Sequence, residues 1–207
     1  MLWRRLAVTC ALLHLSSAQG PPRTLLQLLR DDGQPADPAA EAAEVAEVAG
    51  LLGTEDGVLQ LMAHSAHDDG GDTPLHLAAA RGWAAVVRLM VAAGADSEVE
   101  NAARATPLVA VARQAPSGPQ LAVVVALLEA GADVNANPQG GYAPLHSCAR
   151  DGHDELCALL LAAPLVDPDV KASQGQTALH LAAKNGHEST CREYTANALC
   201  RRNLELS

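Results

Sequence analysis

The sequence contains no phenylalanine, and aromatic residues make up only 2% of its 207 residues. A core without such rings must be filled by many small side chains, which favours closely spaced helices over a thick sheet sandwich. No apolar run reaches the ~18–20 residues that a membrane-spanning helix needs. Because 49% of the residues are hydrophobic and 18% are charged, a wholly disordered chain is excluded. The composition therefore predicts a soluble helical assembly built largely of small residues.

Basic residues are also scarce. Lysine and arginine number 14 against 24 acidic residues, which gives a formal net charge of −10. From Asp31 to Ala80 there are eleven acidic residues and no lysine or arginine. Such a stretch repels phosphate backbones, and the chain has no polybasic cluster. We therefore expect neither nucleic acid nor a membrane surface as a partner.

The N-terminus has the layout of a secretory signal peptide. Two arginines precede an apolar stretch at residues 6–15, and small residues at 16–18 precede a cleavage point before Gln19. The first thirty residues also contain four arginines and no acid, the pattern of an organellar transit peptide. A signal at residues 1–18 predicts a secretory or secreted protein without membrane insertion after cleavage. The alternatives are an organellar protein and an untargeted cytoplasmic one.

A seven-residue pattern recurs four times in the chain. Its copies begin at Thr73, Thr106, Ala143 and Thr177, at steps of 33, 37 and 34 residues. Threonine before proline predicts a helix start. Gly82, Gly152 and Gly186 follow three of the short Ala-rich helices and allow a tight turn, and a second apolar stretch follows in the first three units. One such unit cannot bury its own apolar face, so the units must stack.

The pattern resembles that of ankyrin repeat proteins, with about four repeats over residues 68–195. The first copy reads TPLHLAA and the last TALHLAA. The resemblance implies an all-α fold, a solenoid of stacked helix-turn-helix units joined by β-hairpin-like loops. The chain then divides into a signal peptide (1–18), a flexible or partly helical segment (19–37), degenerate N-terminal capping helices (38–67), the ankyrin repeat domain (68–200) and a tail (201–207).

Several positions depart from the repeat pattern. Val109 replaces the signature histidine, which in the family holds neighbouring loops by hydrogen bonds. Residues 114–119 add about four residues, with two prolines and a glycine, and predict a longer exposed connection. Pro164 stands where other repeats end in Gly-Ala-Asp, so the helix end there is altered. The second helix of the last repeat, around residues 189–195, is polar, as a terminal cap requires.

The four cysteines outside the predicted signal are Cys148, Cys157, Cys191 and Cys200. They form no CxxC pair and no zinc-finger spacing. Cys157 and Cys191 fall on successive second helices, whose axes lie ~8–10 Å apart, whereas a disulfide needs Cα atoms within ~7 Å. A Cys148–Cys157 bond within one repeat is geometrically allowed. We nevertheless expect these cysteines to be buried small hydrophobic residues.

Histidines at repeat positions suggest structure rather than chemistry. His76, His146 and His180 occupy the signature position, where the resemblance implies a structural role. Asn135 matches the motif that asparaginyl hydroxylases modify in ankyrin repeats, but an asparagine in a turn is the favoured interpretation. A group of metal-ligating types stands in a predicted inter-repeat turn: His64, His67, Asp68, Asp69 and Asp72. Because turns are polar anyway, we expect no metal there. The sequence contains no Gly-rich phosphate loop, serine nucleophile elbow, kinase signature or HExxH pattern, so we also expect no cofactor and no catalytic residue.

The resemblance implies a monomeric, non-enzymatic module that binds a partner protein on its concave face and loop tips. We expect Trp83 and Tyr142 to be anchors, since aromatic residues and arginine dominate binding hot spots. The full predicted set is Arg81, Trp83, Glu100, Arg104, Arg113, Asn137, Tyr142, Arg150, Asp151, Lys171 and Lys184. Two alternatives remain: the regulatory ankyrin part of a larger enzyme or channel, and a chaperone-like structural holder in an endomembrane or organellar compartment.

Overall fold

The computed structural model describes residues 45–50, 71–114, 118–137 and 141–205. Within these ranges the regular structure is entirely helical, which confirms the all-α prediction. Residues 45–50 are helical. The helices that follow are α1 (Pro74–Ala80), α2 (Ala84–Ala92), α3 (Pro107–Ala112), α4 (Gly118–Glu129), α5 (Pro144–Asp151), α6 (Asp154–Leu161), α7 (Ala178–Asn185) and α8 (Glu188–Glu205).

The helices form four antiparallel pairs that stack in chain order. The first helices of the pairs, α1, α3, α5 and α7, each pack on the next and form one row. We call the surface of this row, with the adjoining loop ends, the inner face. Among the second helices, α2 packs on α4 and α6 on α8. The predicted solenoid of helix-turn-helix units is therefore confirmed.

Threonine and proline start the first helices as the sequence predicts. The Thr73 hydroxyl accepts a hydrogen bond from the backbone N–H of His76, and Pro74 occupies the first turn, where its missing N–H has no helical partner to lose. Thr106 caps α3 in the same way. At the third repeat Ala143 adopts the same extended backbone but offers no side-chain cap.

Glycine ends α5 in a left-handed conformation, at Gly152 with φ of 73°. A Cβ atom added there would lie 2.5 Å from Nδ1 of His187 in the next repeat. His187 in turn contacts the carbonyl oxygen of Arg150 through Nε2, at 3.0 Å. The inter-helix turn of one repeat is thus packed against the next repeat. Glycine is needed at position 152 because of the positive φ and because His187 leaves no room for a Cβ atom.

The loops between repeats are hairpin-like turns tied to one another by side chains. Asn101 N–H donates to the carbonyl of Ala105 across one such turn, at 3.0 Å. The Asn135 amide donates to the carbonyl of Leu165 at 2.8 Å, and its oxygen accepts from Asp167 N–H at 2.7 Å. Asn135 thus has the structural role that the sequence favours, bridging two successive loops.

Valine, leucine and alanine fill the core between the two rows, as the composition implies. The largest fully buried side chains include Leu75, Met90, Leu127 and Leu156. Val48, in the helical stretch at 45–50, is buried within this same core. That stretch falls inside the segment predicted as N-terminal capping helices; the rest of 38–67 lies outside the described residues, as do 1–18 and 19–37.

The sequence prediction differs from the structure at two helix ends. Helix α4 begins at Gly118, so Gly118 and Pro119 belong to the helix and not to the connection predicted over 114–119. Proline is tolerated there because the first helical turn needs no N–H donor. Helix α8 continues to Glu205, through most of the segment 201–207 predicted as a tail.

Cysteine pairing is a further correction. Cys148 and Cys157 form a disulfide, with Cα atoms 5.6 Å apart, whereas the sequence favoured buried free thiols. The two residues lie on the facing sides of α5 and α6, which the tight turn at Gly152 brings together. Cys191 is free, in agreement with the expectation that it does not pair with Cys157.

Candidate functional site

Three predicted site residues meet on the inner face of the third repeat. Tyr142 ends the loop that leads into α5, and Arg150 and Asp151 close the helix. The Arg150 guanidinium carbon lies 5.6 Å from the centre of the Tyr142 ring. The same guanidinium donates two hydrogen bonds to the Asp151 carboxylate, at 2.8 and 2.7 Å. We call Tyr142, Arg150 and Asp151 the tyrosine–arginine cluster.

The cluster is both charged and accessible. The Arg150 side chain is 40% exposed and that of Asp151 is 31% exposed. The hydrogen bond from Arg150 lowers the pKa of Asp151, and the same bond raises the pKa of Arg150. Both groups are therefore ionised over the whole physiological range, and the paired guanidinium is held over an aromatic face.

Buried neighbours fix the cluster from beneath. The Tyr142 ring stacks on the imidazole of His146, with ring centres 5.9 Å apart. His146 is buried, and its Nε2 donates to the carbonyl of Gln176 at 3.1 Å. The main-chain oxygen of Arg150 accepts from the Asn185 amide at 2.8 Å, which joins the end of α5 to the fourth repeat. Tyr142 is thus positioned by a rigid part of the fold.

Trp83 does not serve as the surface anchor that the sequence predicted. Its side chain is only 4% exposed and belongs to the hydrophobic core. Arg81 covers it, with the guanidinium carbon 5.5 Å from the ring centre. The indole therefore packs across the inter-helix turn of the first repeat, and a partner can reach Arg81 but not the Trp83 ring.

The loop-tip residues form local contacts. Glu100 and Arg104 make an ion pair at 3.0 Å, in a turn where Arg104 adopts a φ of 54°. The Asn137 amide donates to the carbonyl of Lys171 at 3.0 Å and thereby ties one loop to the next. The Lys171 side chain is exposed. These contacts organise the loop tips but do not bring them into the tyrosine–arginine cluster.

The structure also presents an apolar side chain that the sequence interpretation missed. Leu165 is 81% exposed, in the loop after α6. The signal was present in the sequence, because Pro164 and Leu165 stand where other repeats have Gly-Ala-Asp. A changed helix ending was predicted there, but not the exposed leucine.

Among the described residues no group of three or more histidine, cysteine or acidic side chains could hold a metal ion. In the first inter-repeat turn, where no metal is expected, the residues from His64 to Asp69 lie outside the described residues. In the described ranges no helix combines the length and apolar character needed to cross a bilayer.

Comparisons with known proteins agree with this architecture. A family model described as ankyrin repeats, in three copies, matches residues 46–138 and 114–197, which together span more than half of the chain. An ankyrin repeat and KH domain-containing protein of Caenorhabditis briggsae is 35% identical over an alignment of 108 residues that covers 49% of this chain. The chain spans about 4% of that relative's length. With its fourfold stack and signature contacts, the chain belongs to the ankyrin repeat family.

Proposed function

We propose that this chain is a non-enzymatic module that binds a partner protein on its inner face, centred on the tyrosine–arginine cluster. Ankyrin repeats are generally protein–protein interaction modules. The observation that carries the proposal is the Arg150 guanidinium, which lies over Tyr142 and is paired in bidentate fashion with Asp151 while remaining accessible. Tyrosine and arginine are the residue types enriched in interface hot spots.

Preorganisation supports the same assignment. Ordering a long side chain on binding costs ~0.5–1.5 kcal/mol, and the Arg150 side chain is already held by two hydrogen bonds and a ring contact. Tyr142 is held by the stack on His146. The side chains of the cluster are therefore already ordered in the free protein, and binding of a partner loses little of their conformational entropy.

Affinity capture followed by mass spectrometry tests the proposal. The triple variant Tyr142→Ala, Arg150→Ala and Asp151→Ala removes the cluster without changing the net charge. The fold should persist, because Asn185 and His187 bond the main-chain oxygen of residue 150 and not its side chain. The expected result is loss of the specific partner from the captured proteins.

A matched control uses the ion pair between Glu188 and Arg192 on α8, away from the inner face. Glu188→Ala with Arg192→Ala removes one exposed ion pair at constant net charge, as the cluster variant does. This control should retain the partner. If both variants capture the same proteins as the unmodified chain, the tyrosine–arginine cluster is not the binding site.

We also propose that the chain works as a monomer in the secretory pathway or outside the cell. The signal-like residues 1–18 support this location, and so does the Cys148–Cys157 disulfide, because disulfides persist in oxidising compartments. N-terminal sequencing of the protein from cells should begin at Gln19, and non-reducing peptide mapping should recover the bonded pair. An intact Met1 with both thiols reduced would contradict the location. Light scattering of the purified chain should give the molar mass of a monomer.

A further inference from the structure

Basic side chains recur at one register position on the inner face. The equivalent positions at the ends of α3, α5 and α7 hold Arg113, Arg150 and Lys184. Each of these residues is the seventh after the N-cap of its helix. The equivalent residue of the first repeat is Ala80. We call Arg113, Arg150 and Lys184 the basic column.

The packing of the repeats places these three side chains in a row. Helix α3 packs on α5, and α5 on α7. The Asn185 amide, next to Lys184, bonds the Arg150 carbonyl at 2.8 Å, so adjacent helix ends are in direct contact. Packed helices have axes ~8–10 Å apart. The cations are therefore spaced at roughly one helix diameter across the stack.

The column is accessible to a partner. Arg113 and Lys184 are exposed, and neither forms an ion pair within the part of the chain that the structure describes. The carboxylate of Asp151 pairs with Arg150 at the middle position. With Asp151 included, the column keeps a charge of +2, in a chain with 24 acidic and 14 basic residues.

We infer that the basic column binds an extended acidic segment of a partner protein, with carboxylates on about every third residue. This inference rests on the proposed function and specifies the chemistry of its partner. In the polyproline II conformation a chain advances ~3.1 Å per residue with three residues per turn, so carboxylates at i, i+3 and i+6 lie on one side ~9 Å apart, which matches the helix spacing. Tyr142, beside the central Arg150, supplies an apolar surface for a side chain between the carboxylates.

Net charge favours an acidic protein segment over nucleic acid. The chain carries a formal charge of −10, and a polyanion that extends beyond the inner face is repelled by it. A short segment with three carboxylates contacts only the basic column and not the acidic surfaces beyond it. The structure therefore points to a peptide of limited length, with charges at a defined spacing.

Fluorescence anisotropy with the full chain tests the inference. The probe is a labelled Gly/Ser peptide with glutamates at positions i, i+3 and i+6. One comparison peptide has glutamine at these positions, and another has three consecutive glutamates. We expect the spaced peptide to bind best, with an affinity that falls as salt increases.

Two double variants separate the column from general charge effects. Arg113→Gln with Lys184→Gln should weaken the spaced peptide roughly tenfold, because each exposed ion pair contributes a factor of about 1.5–5. Arg88→Gln with Arg192→Gln removes two cations from second helices and should change the affinity less than about twofold. Lys184→Arg should retain binding. Thermal melts verify that every variant is folded.

Several outcomes would overturn the inference: no binding of the spaced peptide, equal binding of all three peptides, equal losses in both double variants, or tighter binding of a single-stranded oligonucleotide of matched length. The proposed function is judged separately by partner capture. Suppose that the cluster variant loses the partner, the Arg113→Gln/Lys184→Gln variant retains it, and the spaced peptide does not bind. The inference about an acidic segment is then wrong, and the proposed function is still supported. If capture is unchanged in every variant, the proposed function falls as well.

Discussion

The Nε2 atom of His76 lies 2.9 Å from the carbonyl oxygen of Ala105, in the loop that precedes the next repeat. A carbonyl only accepts, so Nε2 carries the proton and Nδ1 is the acceptor. The Thr73 hydroxyl donates to that Nδ1 at 2.8 Å. One imidazole therefore joins the cap of α1 to the neighbouring loop, and its tautomer is fixed by both partners.

Removal of this imidazole is predicted to destabilise the stack. His76→Ala removes this hydrogen bond and leaves a cavity at a buried side chain, while the Ala105 carbonyl keeps its bond from Asn101 N–H. The expected cost is about 1–3 kcal/mol in the free energy of unfolding. His180 is the matched control, because it occupies the same register position but is exposed and bonds Thr177 of its own repeat. Urea unfolding of His180→Ala should show a loss below about 1 kcal/mol. Equal losses in both variants would contradict the inter-repeat role.

A threonine at position 143 is predicted to stabilise the third repeat. Ala143 has φ −63° and ψ 162°, close to Thr73 at φ −74° and ψ 163°, but offers no hydroxyl. The buried Nδ1 of His146 has no partner within the described residues. Ala143→Thr should supply a helix cap and a donor to that nitrogen, and raise the free energy of unfolding by about 1 kcal/mol. Ala143→Val, which has the same shape without the hydroxyl, should give no such gain.

Acidification is predicted to weaken the fold through His146. Desolvation by burial lowers the pKa of this histidine below 6.5, although the nearby Gln176 and Val170 carbonyls act to raise it. The unfolded chain then binds the proton more readily than the folded one. Neutral His146 therefore contributes its full stabilisation above about pH 6.5. This contribution is lost as the pH falls from about 6.5 towards the pKa of His146 in the folded chain.

Urea midpoints measured between pH 7.5 and pH 5 check this dependence. The unmodified chain should lose stability over that interval, and His146→Gln should lose less, because glutamine keeps a donor for the Gln176 carbonyl but does not titrate. Identical pH profiles for the two proteins would assign the acid sensitivity to other groups.

Reduction is predicted to lower the melting temperature. The Cys148–Cys157 bond closes a loop with a sequence separation of nine residues, and the loss of such a constraint costs about 2–3 kcal/mol. Calorimetry with and without a reductant should therefore show a decrease of roughly 5–10 °C. The Cys148→Ala/Cys157→Ala variant should not respond to the reductant, whereas Cys191→Ser should respond like the unmodified chain. Two titratable thiols at 148 and 157 before reduction would contradict the bond.

The sequence is sufficient to predict the stack because its signals are local and repeated. Thr73 and Pro74 specify a helix start by themselves, and the same signal returns at a regular period. The effect of Val109 could also be predicted, since an apolar side chain cannot replace the histidine bond; Val109 packs instead with Ala105 and Ala136. Such features depend on neighbours in sequence or on repeat register.

The features that the sequence missed depend on side-chain direction and on distances between elements. The burial of Trp83 is decided by how the inter-helix turn faces the core, which residue type alone does not fix. The Cys148–Cys157 bond depends on the distance between two helices in one repeat. Tyr142 and Arg150 come from a loop and a helix end, and only the folded turn brings the ring and the guanidinium together.

Site-specific photo-cross-linking tests the binding face most directly. p-Benzoylphenylalanine replaces Tyr142 on the inner face in one chain and the exposed Glu155 on α6 in a matched chain. Both chains are irradiated with the partner identified by capture. We expect a covalent adduct from position 142 and none from position 155. An adduct from position 155 alone, or equal yields from both positions, would contradict it.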